Sequence, residues 1–156
     1  MKNLPHEYVV VAEASSVGDA QLIANGLSRL ATAPPIEFGG PGDRWSPEML
    51  LVAALGDCFV LTFRAVAAAS HLPWNSLRCE VSGTLDRMDR VMQFTGFDVR
   101  ADLRISDWRD SDRARRALDR AEHNCLISNS LKAAIHLASD VQVDTATVGE
   151  AASLLP

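Results

Sequence analysis

Residues 49–69 constrain this chain more than any other segment, because they are apolar on nearly every face and begin like a helix. Ser46 can cap a helix at this point, and Pro47 suits the first helical position, where no backbone donor is needed. Glu48 then places negative charge at the positive end of the helix dipole. The sequence therefore predicts one long helix that ends shortly before Pro73.

This helix needs apolar cover, since only Gly56, Asp57, Thr62 and Arg64 interrupt it. Its length suits a membrane span, but two ionisable residues in mid-span would be costly in lipid, so we expect no membrane partner. In a soluble protein, a helix that is apolar all round must be covered on all sides. A chain of 156 residues has limited material for this, which makes a second subunit the natural cover.

Composition indicates an ordinary globular protein with 47% hydrophobic and 22% charged residues, and its length predicts a single domain over residues 1–156. The residues from about 148 onward are expected to form a loose tail. The net charge of −5 argues against nucleic acid as a partner. Residues 1–7 lack the apolar core of a secretory signal, so we expect the cytoplasm, where cysteines stay reduced unless they take part in chemistry.

Extended segments flank the long helix. A turn signal at residues 15–19 separates two of them and predicts a starting β-hairpin, and strict alternation of apolar and polar residues marks the clearest strand after the helix. On one of these strands, the same alternation places Cys79 on the core side. The predicted strands are residues 6–14, 20–32, 77–85, 97–105 and 141–147.

A second, charged helix is predicted from about Asp110 to Asn124, with a narrow apolar stripe. Cys125 continues this stripe at its end, and a shorter helix is expected to start near Ser128. The stripe consists of Ala114, Ala117, Leu118 and Ala121.

The three cysteines leave two interpretations open. Cys58 lies inside the apolar helix and Cys125 at the end of the amphipathic one, which suggests a thiol pair assembled by the fold. Free cysteine is also a common core filler, and burial alone makes a thiol inert. A zinc site from Cys58, Cys79, His123 and Cys125 is conceivable in space but lacks the usual paired spacing, so we expect no metal or other cofactor.

A reactive Cys58 needs a nearby cation, because its neighbours on its own helix are largely apolar. Arg44 precedes the helix cap in a loop, whereas Arg64 points to a rather different side of the helix. Glu48 could orient an arginine, but it lies about 15 Å from Cys58 along a straight helix. The alternatives remain open: Arg44 as a solvated loop residue, Arg64 paired with Asp57, and Glu48 as a simple complement to the dipole.

Two strings on separate segments are similar to those of the OsmC/Ohr family of thiol peroxidases. One runs from Phe38 to Phe63 and includes Ser46-Pro47-Glu48 and the run that ends in Cys58-Phe59; the other is Ala121-Glu122-His123-Asn124-Cys125-Leu126-Ile127-Ser128. The resemblance implies an α+β fold in which antiparallel sheets wrap around long central helices of an intertwined homodimer.

The same resemblance implies reduction of organic hydroperoxides. Cys58 would attack the peroxide and become a sulfenic acid, Cys125 would condense with it to a disulfide, and a dithiol or protein thiol would reduce that disulfide. The family's activating arginine is expected in the loop between the first two strands. Residues 15–19 contain none, which leaves Arg44 by position, with Glu48 to orient it.

A non-enzymatic function is the alternative. An OsmC-like dimer could bind an apolar small molecule beside its central helices, or its cysteines could act as a thiol redox sensor. The enzyme requires the sulfurs of Cys58 and Cys125 to come within disulfide-forming reach, and it requires an arginine near Cys58.

Overall fold

The computed structural model describes residues 3–144 and divides the chain into two compact units, Met1–Leu51 and Val52–Pro156. The division falls inside the long helix. The single domain over residues 1–156 stays a prediction. The predicted tail from about residue 148 lies outside the described residues.

The first unit contains a three-stranded antiparallel sheet in the order β1-β2-β3. The expected hairpin is present, but the second extended segment is broken into two strands by a turn at Asn25-Gly26. Gly26 adopts a φ of +75°, which glycine tolerates best, and Leu27 N–H donates to the carbonyl of Ala24 at 3.2 Å. The strands are β1 (Val11–Glu13), β2 (Ala20–Ile23) and β3 (Leu30–Thr32).

The long helix α1 covers Pro47–Ala69, as the sequence predicted. Ser46 caps it, because the Ser46 hydroxyl accepts a hydrogen bond from Met49 N–H at 3.2 Å. Four residues spaced one turn apart are buried, which leaves the other faces of α1 partly or fully exposed in the single chain. The buried residues are Leu55, Phe59, Phe63 and Ala67.

By length and composition, α1 is the one helix among the described residues that could cross a membrane. Its most apolar 18-residue window has a mean hydropathy of 1.9, and 17% of that window is buried within the chain. A single helix of this kind is weak evidence for a membrane span, since core helices of soluble proteins have the same length and composition.

The second unit contains a three-stranded sheet in the order β4-β5-β6. A tight turn at Asp89 and Arg90, both with positive φ, joins the first two strands into a long antiparallel hairpin. The predicted alternation is confirmed on β5, where one face is fully buried and consists of Phe97, Val99, Ala101, Leu103 and Ile105. The strands are β4 (Ser76–Met88), β5 (Val91–Ile105) and β6 (Ala134–Val143).

Helix α2 (Ser111–Asn124) connects β5 to β6 and buries the predicted stripe, including Leu118. Because the connection returns through a helix, β6 runs parallel to β5, so the expectation of purely antiparallel sheets is wrong for this pair. The last strand begins at Ala134, earlier than the predicted 141–147, of which residues 145–147 lie outside the described part. The short helix near Ser128 is a 3₁₀ turn, Ser128–Ser130. The α+β class is confirmed.

Candidate active site

The second unit brings Cys58 on α1 and Cys125 at the end of α2 close together. Cys58 lies in the middle of α1, and Cys125 is the residue with which the chain leaves α2 in an extended conformation. Each thiol shifts the pKa of the other, so the two sulfurs lie close together. Cys58 is half-buried, whereas Cys125 is fully buried. A molecule from solvent would therefore meet Cys58 first.

Hydrogen bonds favour the thiolate of Cys58. Burial alone would raise the pKa of this thiol, but donors around the sulfur outweigh burial and lower the pKa below its ordinary value. In order of effect these donors are Ile127 N–H, the Cys125 thiol, the Thr62 hydroxyl and Leu126 N–H. Thr62 Oγ1 lies 4.0 Å from the Cys58 sulfur, one turn further along α1.

The pKa of Cys125 moves in the opposite direction. Burial raises it, and so does the contact with Cys58, because the Cys125 thiol donates to the other sulfur and its own thiolate would face a negative charge. Hydrogen bonds from the side chain and backbone of Ser128 oppose this rise without overcoming it. The two pKa values therefore move apart, so that Cys58 ionises at lower pH than Cys125.

Cys79 is the third thiol near the pair and differs from both. It lies half-buried on β4, and its predicted orientation toward the core agrees with this burial. Burial, with a smaller contribution from the charge of Cys125, raises the pKa of Cys79 to about 11. Such a thiol is protonated and unreactive at neutral pH. Within residues 3–144, no group of three or more His, Cys, Asp or Glu side chains is arranged to hold a metal ion.

Arg44 and Glu48, the other predicted site residues, belong to the first unit. Arg44 Nε lies 2.8 Å from Asp19 Oδ2, and Nη1 lies 2.9 Å from Asp43 Oδ2. These contacts, chiefly the hydrogen bond to Asp19, raise the pKa of Arg44 further. Asp19 ends the loop between β1 and β2, so Arg44 is held at the loop where an activating arginine was expected.

Glu48 carries a buried carboxylate oxygen, Oε2, that has no hydrogen-bond partner among the described residues. A buried acceptor without a donor is costly, so its position at the helix start is more than an exposed complement to the dipole. Arg64 is exposed on α1. In the described part of the chain, no ion pair links Arg64 to Asp57.

Sequence reasoning missed the groups that lower the pKa of Cys58. It treated the helical neighbours of Cys58 as apolar, although Thr62 is a hydroxyl at one-turn spacing in an otherwise apolar run. The backbone donors of Leu126 and Ile127 carried no sequence signal, because every residue except proline offers the same N–H. The predicted proximity of Cys58 and Cys125 agrees with their mutual effect on pKa, and none of the causes of the lowered Cys58 pKa is a cation.

The chain is similar to known proteins in sequence and in fold. A family model described as OsmC-like protein matches residues 40–140, which include both cysteines of the pair. Among curated proteins, the chain is 23% identical over 141 residues to the uncharacterized protein YmaD of Bacillus subtilis (strain 168). This match covers 88% of the chain and 94% of YmaD.

Solved structures share the fold. An OsmC-like protein of unknown function from Vibrio cholerae superposes with a TM-score of 0.79 at 18% identity, over 87% of this chain and all of the other. An organic hydroperoxide resistance protein OsmC from Legionella pneumophila gives a TM-score of 0.71 at 21% identity, over 90% of this chain and all of the other. These likenesses establish the OsmC-like fold predicted from the sequence.

The three thiols should titrate in a fixed order. Iodoacetamide reacts with thiolates, so the pH of half-maximal alkylation should be lowest for Cys58, higher for Cys125 and about 11 for Cys79. Thr62→Val removes a donor to the Cys58 sulfur and should move the Cys58 midpoint to higher pH. Mass spectrometry of the three alkylated peptides at a series of pH values measures each midpoint.

Thr84→Val is the matched control, since Thr84 is exposed on β4 and should leave all three midpoints unchanged. A Cys58 midpoint above that of Cys125 would contradict the assignment of the thiolate.

Proposed function

Since the chain belongs to the OsmC-like protein family, we propose that it is a thiol peroxidase that reduces organic hydroperoxides. The proposal rests on one observation above all: Cys58 and Cys125 lie close enough to shift each other's pKa, and the pKa of Cys58 is lowered while that of Cys125 is raised. The structural similarity to a protein named for organic hydroperoxide resistance supports this substrate class. The same two cysteines are the ones that the family resemblance singles out.

In the first step, the Cys58 thiolate attacks the distal oxygen of the peroxide. The O–O bond breaks, Cys58 becomes a sulfenic acid, and the departing alkoxide takes up a proton to become an alcohol. Partial exposure of Cys58 allows a peroxide to reach the sulfur, and the surrounding N–H and O–H donors lower the pKa of the thiol and so favour the thiolate that attacks.

In the second step, the sulfur of Cys125 attacks the sulfenic sulfur of Cys58. A disulfide forms and the hydroxyl leaves as water, so the two thiols together supply the two electrons that reduce the peroxide. Cys125 is buried and protonated before this step, which protects it from direct oxidation. A dithiol or protein thiol then reduces the disulfide by exchange and restores both thiols. We place this cycle in the cytoplasm, where such reductants are abundant.

Arg44 is our candidate for the activating cation, with Glu48 to orient it. A guanidinium stays charged at any physiological pH and can donate to a thiolate and a carboxylate at once. Asp19 holds Arg44 at the β1–β2 loop, and Glu48 offers a buried carboxylate oxygen without a donor. Arg44 thus supplies a guanidinium in a fixed position, and Glu48 supplies an acceptor that could hydrogen-bond to a guanidinium during the reaction.

We further propose that the working molecule is a homodimer. The argument comes from α1, whose most apolar window is only 17% buried within one chain. Leu61 on α1 is 48% exposed, and such apolar surface on a long helix is normally covered in a soluble protein. A second copy of the chain could cover these exposed faces of α1 without any additional segment in the chain.

Cysteine variants test the peroxidase. With a dithiol reductant, the wild type should consume cumene hydroperoxide faster than hydrogen peroxide, and Cys58→Ser should abolish the activity because no thiolate attacks the O–O bond. Cys125→Ser should react once and then over-oxidise, since the sulfenic acid finds no resolving thiol. Reductant-coupled assays follow turnover, and intact mass follows the oxidation of Cys58.

Cys79→Ser is the matched control and should keep wild-type turnover, because its thiol is protonated at neutral pH. Turnover that survives Cys58→Ser would rule out this mechanism. A wild type without any peroxidase activity would favour a binding or redox-sensing function.

Arg44→Gln tests the activating cation. Loss of the guanidinium should slow the reaction with cumene hydroperoxide by about 100-fold, on the scale of one lost transition-state donor. Arg44→Lys should recover part of the rate, because lysine restores the positive charge but not the paired N–H donors of the guanidinium. Stopped-flow measurement of Cys58 oxidation isolates this step from reduction of the disulfide.

Arg29→Gln removes another arginine of the first unit and should leave the rate unchanged. If Arg44→Gln reacts as fast as the wild type, the activating cation is not Arg44.

Leu61→Arg tests the dimer. Its side chain is exposed in the single chain, so the variant should fold, but burial of an arginine in a subunit interface should weaken association and yield monomers. Sedimentation equilibrium at several concentrations measures this. Leu27→Arg, at an exposed turn after β2, should leave the dimer intact. A monomeric wild type at high concentration would disprove the interface.

A further inference from the structure

A pocket with three arginines lies between α1 and α2 in the second unit. Its volume is about 90 Å³, whereas a site for one water needs only about 10–15 Å³. One residue of α1, the residue that follows it and four residues of α2 line the pocket: Val66, Ser70, Arg113, Arg116, Ala117 and Arg120. No acidic side chain belongs to this lining. The pocket is thus polar and positively charged on its α2 side and partly apolar on its α1 side.

Only one of the three arginines that line this pocket forms an ion pair among the described residues. Arg113 Nη2 lies 2.6 Å from Asp110 Oδ1, which compensates one guanidinium. Over residues 3–144, neither Arg116 nor Arg120 takes part in an ion pair. These two arginines are one turn apart on α2, where like charges destabilise a helix. Among the described residues, the lining therefore carries two guanidinium groups that no carboxylate pairs with and that can bind an anion.

One buried hydrogen-bond donor of the lining also lacks an acceptor among the described residues. Arg113 Nε is buried and has no hydrogen-bond partner in the described part of the chain, although Arg113 lines the pocket. Buried donors of charged groups are costly to leave unpaired. Ser70, just after α1, donates its hydroxyl to the carbonyl of Val66 at 2.9 Å and accepts no hydrogen bond from Arg113 Nε.

We propose that this pocket binds an oxyanion such as phosphate, sulfate or a carboxylate. Planar guanidinium groups recognise these anions with two parallel hydrogen bonds, and three arginines line a volume that suits a small anion. The anion is either a free ion or the charged group of an organic molecule whose apolar part contacts Val66 and Ala117.

The pocket is separate from the thiol pair. Val66 follows Cys58 by eight residues, about 12 Å along the helix axis. Arg120 precedes Cys125 by five residues on α2. The proposal does not depend on peroxidase activity, because it concerns binding only.

Isothermal titration with inorganic phosphate and with phenyl phosphate, at constant ionic strength in chloride, tests this site. The wild type should bind at least one of them, and the double variant Arg116→Gln/Arg120→Gln should bind at least 10-fold more weakly. Arg115→Gln is the matched control on the same helix: Arg115 lies outside the pocket, pairs with Asp112, and should be dispensable. Tighter binding of phenyl phosphate would identify an organic anion as the ligand, and equal binding a free ion.

A second measurement uses the wild type alone, in case the double variant does not fold. Phosphate should slow the modification of Arg116 and Arg120 by phenylglyoxal and leave that of Arg115 unchanged. The proposal is overturned if the wild type binds neither phosphate compound, if the folded double variant binds as the wild type does, or if phosphate protects all three arginines equally.

Discussion

The proximity of the sulfurs of Cys58 and Cys125 is the interaction on which the proposed chemistry of this chain depends. It joins the middle of α1 to the end of α2, two segments far apart in sequence. The contact makes the two thiols unequal, because the one that donates keeps its proton and the one that accepts loses it more easily. Two cysteines of the same intrinsic pKa thereby acquire the different states that attack and resolution require.

The stabilising groups around Cys58 are mostly fixed parts of the fold. Ile127 and Leu126 donate backbone N–H groups where the chain turns from α2 into the 3₁₀ turn at Ser128–Ser130. Such donors are positioned by the backbone and need little reorganisation when charge develops on the sulfur. These donors already lower the pKa of Cys58, so an arginine would need to lower it less than if it acted alone.

The sequence revealed those parts of the structure that depend on patterns within one segment. Cap and dipole signals located α1, alternation located the buried face of β5, and the stripe ending in Cys125 located α2. The break at Asn25-Gly26 was equally readable but was passed over within a long extended run. The strand at Ala134–Val143 was placed too late, although Ile135 and Leu137 alternate with polar or exposed neighbours. Its parallel pairing with β5 depends on a crossover that no short pattern specifies.

The site was less predictable than the fold, for a physical reason. A side chain can be read from the sequence, but a backbone N–H cannot be assigned a role until the chain is folded, and Ile127 gives no hint that its amide contacts a sulfur.

The residues that interrupt the apolar run of α1 illustrate the same limit. The sequence shows which residues they are, but not what each of them contacts in the fold. Gly56 faces β4, where an added Cβ would lie 3.1 Å from Val81 Cγ2, so glycine permits the close approach of the strand. Thr62 faces the Cys58 sulfur. An apolar helix thus carries its small and polar residues where the sheet and the thiol pair require them, and this selective placement separates α1 from an ordinary apolar span.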